Sequence, residues 1–343
     1  MELSPRKQAV LKAVINAYIA GGEPIGSKNL IGFLENAPSS ATLRNEMSEL
    51  CELGLLKQPH TSAGRVPTSA GYKLYINTLM QNPTLSPTEK QQIDDAFENI
   101  SLSPENIPSA AAQCLANLCE LPAIACLITN TPSKIKKVEI LPISSFSVML
   151  LLITDDGRTR NRIFRQKGLN ADIKLRFLDL INKYIVGKNV NELTKAYMQS
   201  VIATAGIYSL DLMPLLTAVF ETALEIEETD ISLKGENALY NICSSEETAQ
   251  RIMRLINRRD PIISILNSID SDSGAVFGVD TKHTELAGDV ILAAKFRATD
   301  KFGGYIGIIG PNRLSYEKII PCIEYTAQKL SETMTEAQKD MED

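Results

Sequence analysis

Tryptophan is missing from the chain, histidine occurs twice, and aromatic residues make up only 6% of the 343 positions. With His60 and His283 as the only imidazoles, far apart in the sequence, a histidine-based triad or a multi-histidine metal site has too few members. The six cysteines (Cys51, Cys114, Cys119, Cys126, Cys243 and Cys322) sit in apolar or helical contexts with no CxxC pair. That pattern excludes a zinc finger and a secreted disulfide scaffold, and it fits reduced core thiols in a cytoplasmic protein. No apolar run exceeds Val148–Ile153, far short of the ~18–20 residues that a bilayer-crossing helix needs. Met1–Arg6 lacks the basic-then-apolar layout of a signal peptide, so no membrane partner is expected. The glycine-rich run Gly303–Gly310 lacks the GxGxxG order and strand-to-helix context of a nucleotide loop, and reads as a strand that approaches other backbone closely. Asp270, Asp272 and Asp280 read as a polar loop, and no nucleophile has a base beside it. The expectation is therefore no enzyme, no cofactor and no metal.

What is present is enough to build cores. Hydrophobic residues make up 44% and charged ones 22%, which excludes a disordered or fibrous chain, and the length suggests two or three domains. The net charge of −6 is unevenly spread. Residues 1–82 carry eight Lys/Arg against six Asp/Glu, a net of +2, and the remainder carries 27 against 35, a net of −8. A mildly basic head on an acidic body suits a small nucleic-acid-reading module. The seam between them is the Pro/Ser/Thr stretch Asn82–Pro87.

The head reads as three helices and a hairpin. Ser4 caps a first helix with Pro5 at its first position, and Val10, Leu11, Val14, Ile15 and Tyr18 recur at helical spacing up to the stop at Gly21-Gly22. A short second helix starts at Ser27 with Leu30, Ile31 and Leu34 expected inward. The third, capped by Ser39 and running from Ser40 to about Leu53, turns Leu43, Met47 and Leu50 inward and gathers Ala41, Thr42, Arg44, Asn45 and Ser48 on the other face. An exposed Arg can pair bidentately with guanine, Thr and Ser can bond bases or phosphates, and a helix-turn-helix meets base edges with the N-terminal part of its second helix. An ordinary amphipathic helix with a solvated face fits this segment alone equally well. The continuation decides between them. Gly54 stops the helix, Leu55–Pro59 reads as a strand, His60–Arg65 as a polar turn, and Val66-Pro67-Thr68 returns the chain to a fourth helix bearing Tyr72, Tyr75, Ile76 and Leu79. That is a winged helix. Thr61, Ser62 and backbone N–H groups can bond phosphates, Gly64 is expected at a positive φ, and Arg65 adds charge. For His60, a structural and a DNA-facing role fit equally well.

Glu23–Ser27, Ser39–Met47 and Glu52–Leu56 resemble the head of the HrcA family of heat-inducible transcription repressors, and Gln58–Thr68 followed by Gly71-Tyr72 is the most specific part of the match. Ile306–Leu314 with Tyr316 looks like the family's C-terminal signature, so the similarity spans nearly the whole chain and is loosest over about 170–235. Ser40 departs from the pattern, since the family often has proline there. The resemblance implies a dimeric repressor of chaperone operons (groE/dnaK type) that binds an inverted-repeat CIRCE operator on double-stranded DNA and needs the GroEL chaperonin to stay active in the bacterial cytoplasm. Together with the head's geometry, it nominates Ser39, Ser40, Thr42, Arg44, Asn45 and Ser48 on helix three, and Lys57, His60, Thr61, Ser62, Gly64 and Arg65 on the wing, as DNA-binding residues.

In the body, two helices are expected near Ser86-Pro87 and Ser103-Pro104, and strands at Ala123–Ile128, Lys136–Leu141, Ser147–Thr154 and Arg158–Gln166. A helical block covers Asp172 to about Glu228, strands resume at Ala275–Val279, Val290–Phe296 and Gly304–Ile309, and a last helix starts near Ser315. The expected class is multidomain α+β: an N-terminal winged helix-turn-helix (1–82), then an antiparallel sheet domain in two parts (83–170 and 236–343) interrupted by a mainly helical insert (171–235). By resemblance the sheet domain is GAF-like and the insert dimerises. From the residues alone the insert could equally belong to one larger core. The alternative function is a small-molecule-responsive regulator with a sensor body, and a third reading is an enzyme with an accessory DNA-binding head.

Overall fold

The computed structural model describes residues 3–34, 37–61, 63–80, 84–98, 100, 106–129, 132–167, 169–227, 230–242, 245–298 and 302–342. Of the features expected from sequence, Ser62, Cys243, Asn82-Pro83 and Ser103-Pro104 lie outside these residues.

Local signals build the head. Helix α1 (Pro5–Gly21) starts on Ser4, whose hydroxyl accepts the Lys7 N–H, and ends where Gly22 takes φ +73° and returns its N–H to the Tyr18 carbonyl. Helix α2 (Ser27–Leu30) is a single turn that tightens into a 3₁₀ turn over Ile31–Phe33. Leu30 is buried as expected, but Ile31 is 41% exposed. Tightening to three residues per turn rotates it out of the inward stripe. Helix α3 (Ser40–Glu52) buries Leu43, Met47 and Leu50. Strands β1 (Leu56–Lys57) and β2 (Val66–Pro67) pair antiparallel, Lys57 opposite Val66. Helix α4 (Ser69–Leu74) is capped by Thr68, whose hydroxyl accepts the Gly71 N–H, and it continues as a π-helical turn over Tyr75–Leu79.

The aromatic side chains of α4 and that turn do not close the head on itself. Tyr72 stacks on Phe277 (centroids 5.9 Å apart, 17° between planes) and leans on Tyr316 at 5.4 Å. The Tyr75 hydroxyl lies 2.8 Å from Glu317 Oε1 and 3.0 Å from Asn16 Oδ1, and Lys73 pairs with Asp280 at 2.9 Å. Arg313 lies against Gly22, where a Cβ would collide with its guanidinium. Head and body thus share one hydrophobic core, running from Val10 and Leu43 through Tyr72 to Phe277 and Tyr316. Among the described residues the Tyr72 hydroxyl has no hydrogen-bond partner, although Tyr72 is only 2% exposed. An unpaired buried hydroxyl costs about 1–3 kcal/mol, so Tyr72→Phe should raise the unfolding free energy by about 1 kcal/mol. A urea midpoint that stays put or falls would contradict this.

Helices α5 (Pro87–Glu98) and α6 (Asn106–Cys119) lead into the body. Its main sheet combines β3 (Ala123–Thr129), β7 (Asp230–Lys234), β8 (Ser273–Phe277), β9 (Asp289–Arg297) and β10 (Phe302–Pro311), all antiparallel in the order β7-β3-β10-β9-β8. Residues alternate between its two faces. Ala125, Leu127, Leu292, Phe296, Ile306 and Ile308 join the core shared with the head, α6 and the long terminal helix α13 (Tyr316–Glu342). Ile124, Cys126, Ile291, Tyr305 and Ile309 face a second core under α10 (Asn237–Ile242), α11 (Glu246–Ile256) and α12 (Arg259–Asn267). The glycine-rich run is strand β10, as expected. A Cβ at Gly304 or Gly307 would strike the Cys126 or Leu292 carbonyl of a neighbouring strand.

The division at 171 is not where the structure divides. Strands β4 (Ile135–Ser144), β5 (Ser147–Thr154) and β6 (Thr159–Arg165) form a separate sheet in the order β4-β5-β6. Their inward side chains Val138, Ile140, Val148, Leu150 and Leu152 share a core with α7 (Ala171–Tyr184), α8 (Lys195–Thr204) and α9 (Ser209–Glu227). The inserted unit therefore begins near Ile135, not 171, and β7, expected inside it, pairs with β3 of the main sheet. The buried Asp156–Arg158 pair (3.2 Å) fastens this unit, because Arg158 Nη1 also donates to the Ile226 carbonyl at 2.6 Å and so ties the β5–β6 turn to the end of α9. Helix α9 is long and apolar enough to cross a membrane by composition, yet Leu212, Leu215, Leu216, Val219 and Ile226 are packed into the insert's core.

Candidate DNA interface

The exposed face of α3 and the wing lie side by side, with an open cleft of about 380 Å³ between them, lined by Ser27, Arg44, Gln58, Thr61, Ala63 and Arg65. Ser39 caps α3 by accepting the Thr42 N–H (3.2 Å), and its hydroxyl lies 2.9 Å from that of Thr42. Ser40 Oγ sits 3.0 Å from Ser27 Oγ and joins the starts of α2 and α3. Ser48 gives its hydroxyl hydrogen to the Arg44 carbonyl at 3.0 Å, so that donor is already used. Arg44 and Asn45 are exposed. Two of the three acids of α3 are engaged elsewhere. Glu46 and Glu49 pair with Lys7 of α1 at 3.4 and 2.8 Å, and the hydrogen bond to Glu49 leads the interactions that raise the Lys7 pKa. Glu46 and Glu49 thus spend their charge on Lys7 of α1, while Arg44 stays on the outward helix face.

On the wing, Lys57, His60 and Thr61 are exposed and Arg65 is half-buried. Arg65 exchanges two backbone hydrogen bonds with Ile25 (2.8 and 3.0 Å), which adds the α1–α2 connection as a third edge beside the hairpin. Gly64 is not at a positive φ. Its need for glycine is steric: a Cβ would overlap the Ile25 carbonyl and the Pro24 backbone, which must come close for the Ile25–Arg65 bridge to form. Two residues outside the nominated set also belong to this surface. Ser27 reaches Ser40, and Gln58 spans the wing turn by donating to the carbonyls of Thr61 (2.9 Å) and Ala63 (3.0 Å). Gln58 stood inside the most specific stretch of sequence. Neither charge nor capping pattern marks it, since its partners are backbone atoms.

Comparison with known families bears on this surface and on the body alike. The family described as "Winged helix-turn-helix transcription repressor, HrcA DNA-binding" matches residues 2–80, and the one described as "HrcA protein C terminal domain" matches residues 105–320. The chain belongs to the HrcA family. Similar relatives are the heat-inducible transcription repressors HrcA of Acetivibrio thermocellus, 27% identical over 97% of this chain and 96% of the relative, and of Thermoanaerobacter pseudethanolicus, 28% identical over 99% of both. A crystal structure of a hypothetical protein shares the fold, with a TM-score of 0.66 and 23% identity over 98% of this chain and 100% of that one. Within the HrcA chain, the C-terminal stretch Ile306–Tyr316 now has a physical role. It completes strand β10 and then sends Arg313 and Tyr316 against the winged helix.

Proposed function

We propose that this HrcA chain represses heat-shock chaperone operons by binding an inverted-repeat CIRCE operator as a dimer, with GroEL sustaining its activity in the bacterial cytoplasm. The observation that carries the DNA-binding part is the outward Arg44–Asn45 face of α3 beside the wing, on a head that matches a repressor family's DNA-binding domain. In this reading Thr42, Arg44 and Asn45 meet base edges, and Lys57, His60–Thr61, Gly64 and Arg65 follow the phosphates. The five-stranded domain is GAF-like. The insert dimerises through the apolar side chains it leaves uncovered, such as Ile207 (86% exposed), Leu210 (80%) and Phe146 (60%). Large apolar side chains left in solvent mark association surfaces where they gather into a patch.

Footprinting on chaperone-operon promoter DNA tests the proposal. Two symmetric protected half-sites are expected, with protection extended in time by added GroEL. Protection of one half-site would remove the dimer, and no response to the chaperonin would remove GroEL. A wing that follows phosphates makes a further prediction. Arg65→Ala should weaken binding to operator and random DNA alike and flatten log K against log salt by about 0.9 for each phosphate it no longer neutralises. An unchanged slope would take Arg65 off the backbone.

A further inference from the structure

We propose that Gln58 is the positioning residue of the wing, holding the Thr61 and Ala63 carbonyl oxygens away from the duplex so that backbone N–H groups and Arg65 meet the phosphates. Resting on the DNA-binding reading above, this assigns a role to a residue that carries no charge.

The hairpin is too short to hold its own tip. Among the described residues its ladder pairs only Leu56 with Pro67 and Lys57 with Val66, and a pairing of this length leaves the following turn without a template. Within the turn, a backbone bond runs from Ala63 N–H to the His60 carbonyl at 2.9 Å. Gln58, at the end of β1, supplies what the ladder does not. A primary amide carries two N–H donors. Nε2 uses them on the Thr61 carbonyl at 2.9 Å and the Ala63 carbonyl at 3.0 Å, while Arg65 Nη1 reaches the Ala63 carbonyl at 3.4 Å. Each bond takes the negative end of a peptide dipole out of competition with an approaching phosphate. The same side chain lines the cleft opposite Arg44, so the turn it shapes borders the face of α3 that would enter the groove.

The test replaces a neutral group by a neutral group in the full-length chain: Gln58→Ala and Gln58→Met, the second keeping the side-chain length without donors. Operator and random duplex are titrated across salt concentrations, alongside thermal unfolding. The expected result is an affinity loss on the order of tenfold on both duplexes and a log K against log salt slope flatter by about one counterion, at an unchanged Tm. No neutral residue can flatten that slope by touching DNA itself, so the flattening shows that a cation elsewhere in the wing no longer reaches its phosphate. If affinity falls with the slope intact, Gln58 touches DNA itself and the positioning role is overturned. Unchanged affinity overturns it equally, because the turn then holds itself. Should the alanine variant unfold, the methionine variant supplies the readout. Absence of salt-dependent operator binding by the unaltered protein would instead sink the DNA-binding reading, and this role with it.

Discussion

Phe277→Ala is expected to destabilise the protein by ~3–5 kcal/mol and, although it lies in the body, to weaken operator binding at temperatures where the parent chain still binds. Phe277 is fully buried at the end of β8 and supplies the flat surface on which Tyr72 stacks. Its removal takes away transfer free energy, leaves a cavity beside the Tyr72–Tyr316 pair, and loses an aromatic interaction worth ~0.5–1.5 kcal/mol beyond the area it covers. Because head and body share that core, the head should lose support together with the body. Circular dichroism in urea gives the stability loss, and operator titration over a temperature series gives the functional one. A loss under ~1 kcal/mol, or operator binding that survives to the parent's temperature limit, would show that the shared core does not couple the two.

Arg44→Ala is expected to reduce discrimination at one base pair of each half-site by ~1–3 kcal/mol, with a smaller effect on binding to random sequence. Arg44 is exposed on the second turn of α3, flanked by Asn45, while Glu46 and Glu49 turn toward Lys7. A bidentate guanidinium–guanine pair gains its energy only from the right base, so truncation relaxes the choice of base instead of lowering affinity uniformly. Competition titrations against single-base operator variants measure this. Equal loss on operator and random DNA would make Arg44 a phosphate contact.

Much of the head was legible in the sequence because its signals are local. Ser4, Ser39 and Thr68 cap the helices they were expected to cap, Gly22 and Gly54 take positive φ at the helix ends, and Leu43, Met47 and Leu50 turn inward. Gly64 was legible as obligatory glycine but not for the right reason, since what it must accommodate is the Pro24–Ile25 backbone, some forty residues earlier in the chain. Strands β3 to β6 were each expected from the sequence, yet a strand pattern does not say which sheet the strand joins. Membership followed from which apolar faces met in three dimensions. Tyr72 and Tyr75 were legible only as residues of the fourth helix, because their spacing does not name the surface they pack against, and Glu317 lies 242 residues from Tyr75 in the chain. Charge and hydroxyl content guided the choice of wing residues, and that choice passes over Gln58.

The seat that Arg313, Tyr316 and Glu317 provide for the winged helix has a practical corollary for protein engineering. A reader domain cut after residue 80 and grafted onto a foreign effector would arrive with its aromatic underside bare and prone to aggregate. A chimera that also transplants the strand-to-helix corner around residues 310–317 gives the cassette the cushion it was folded against.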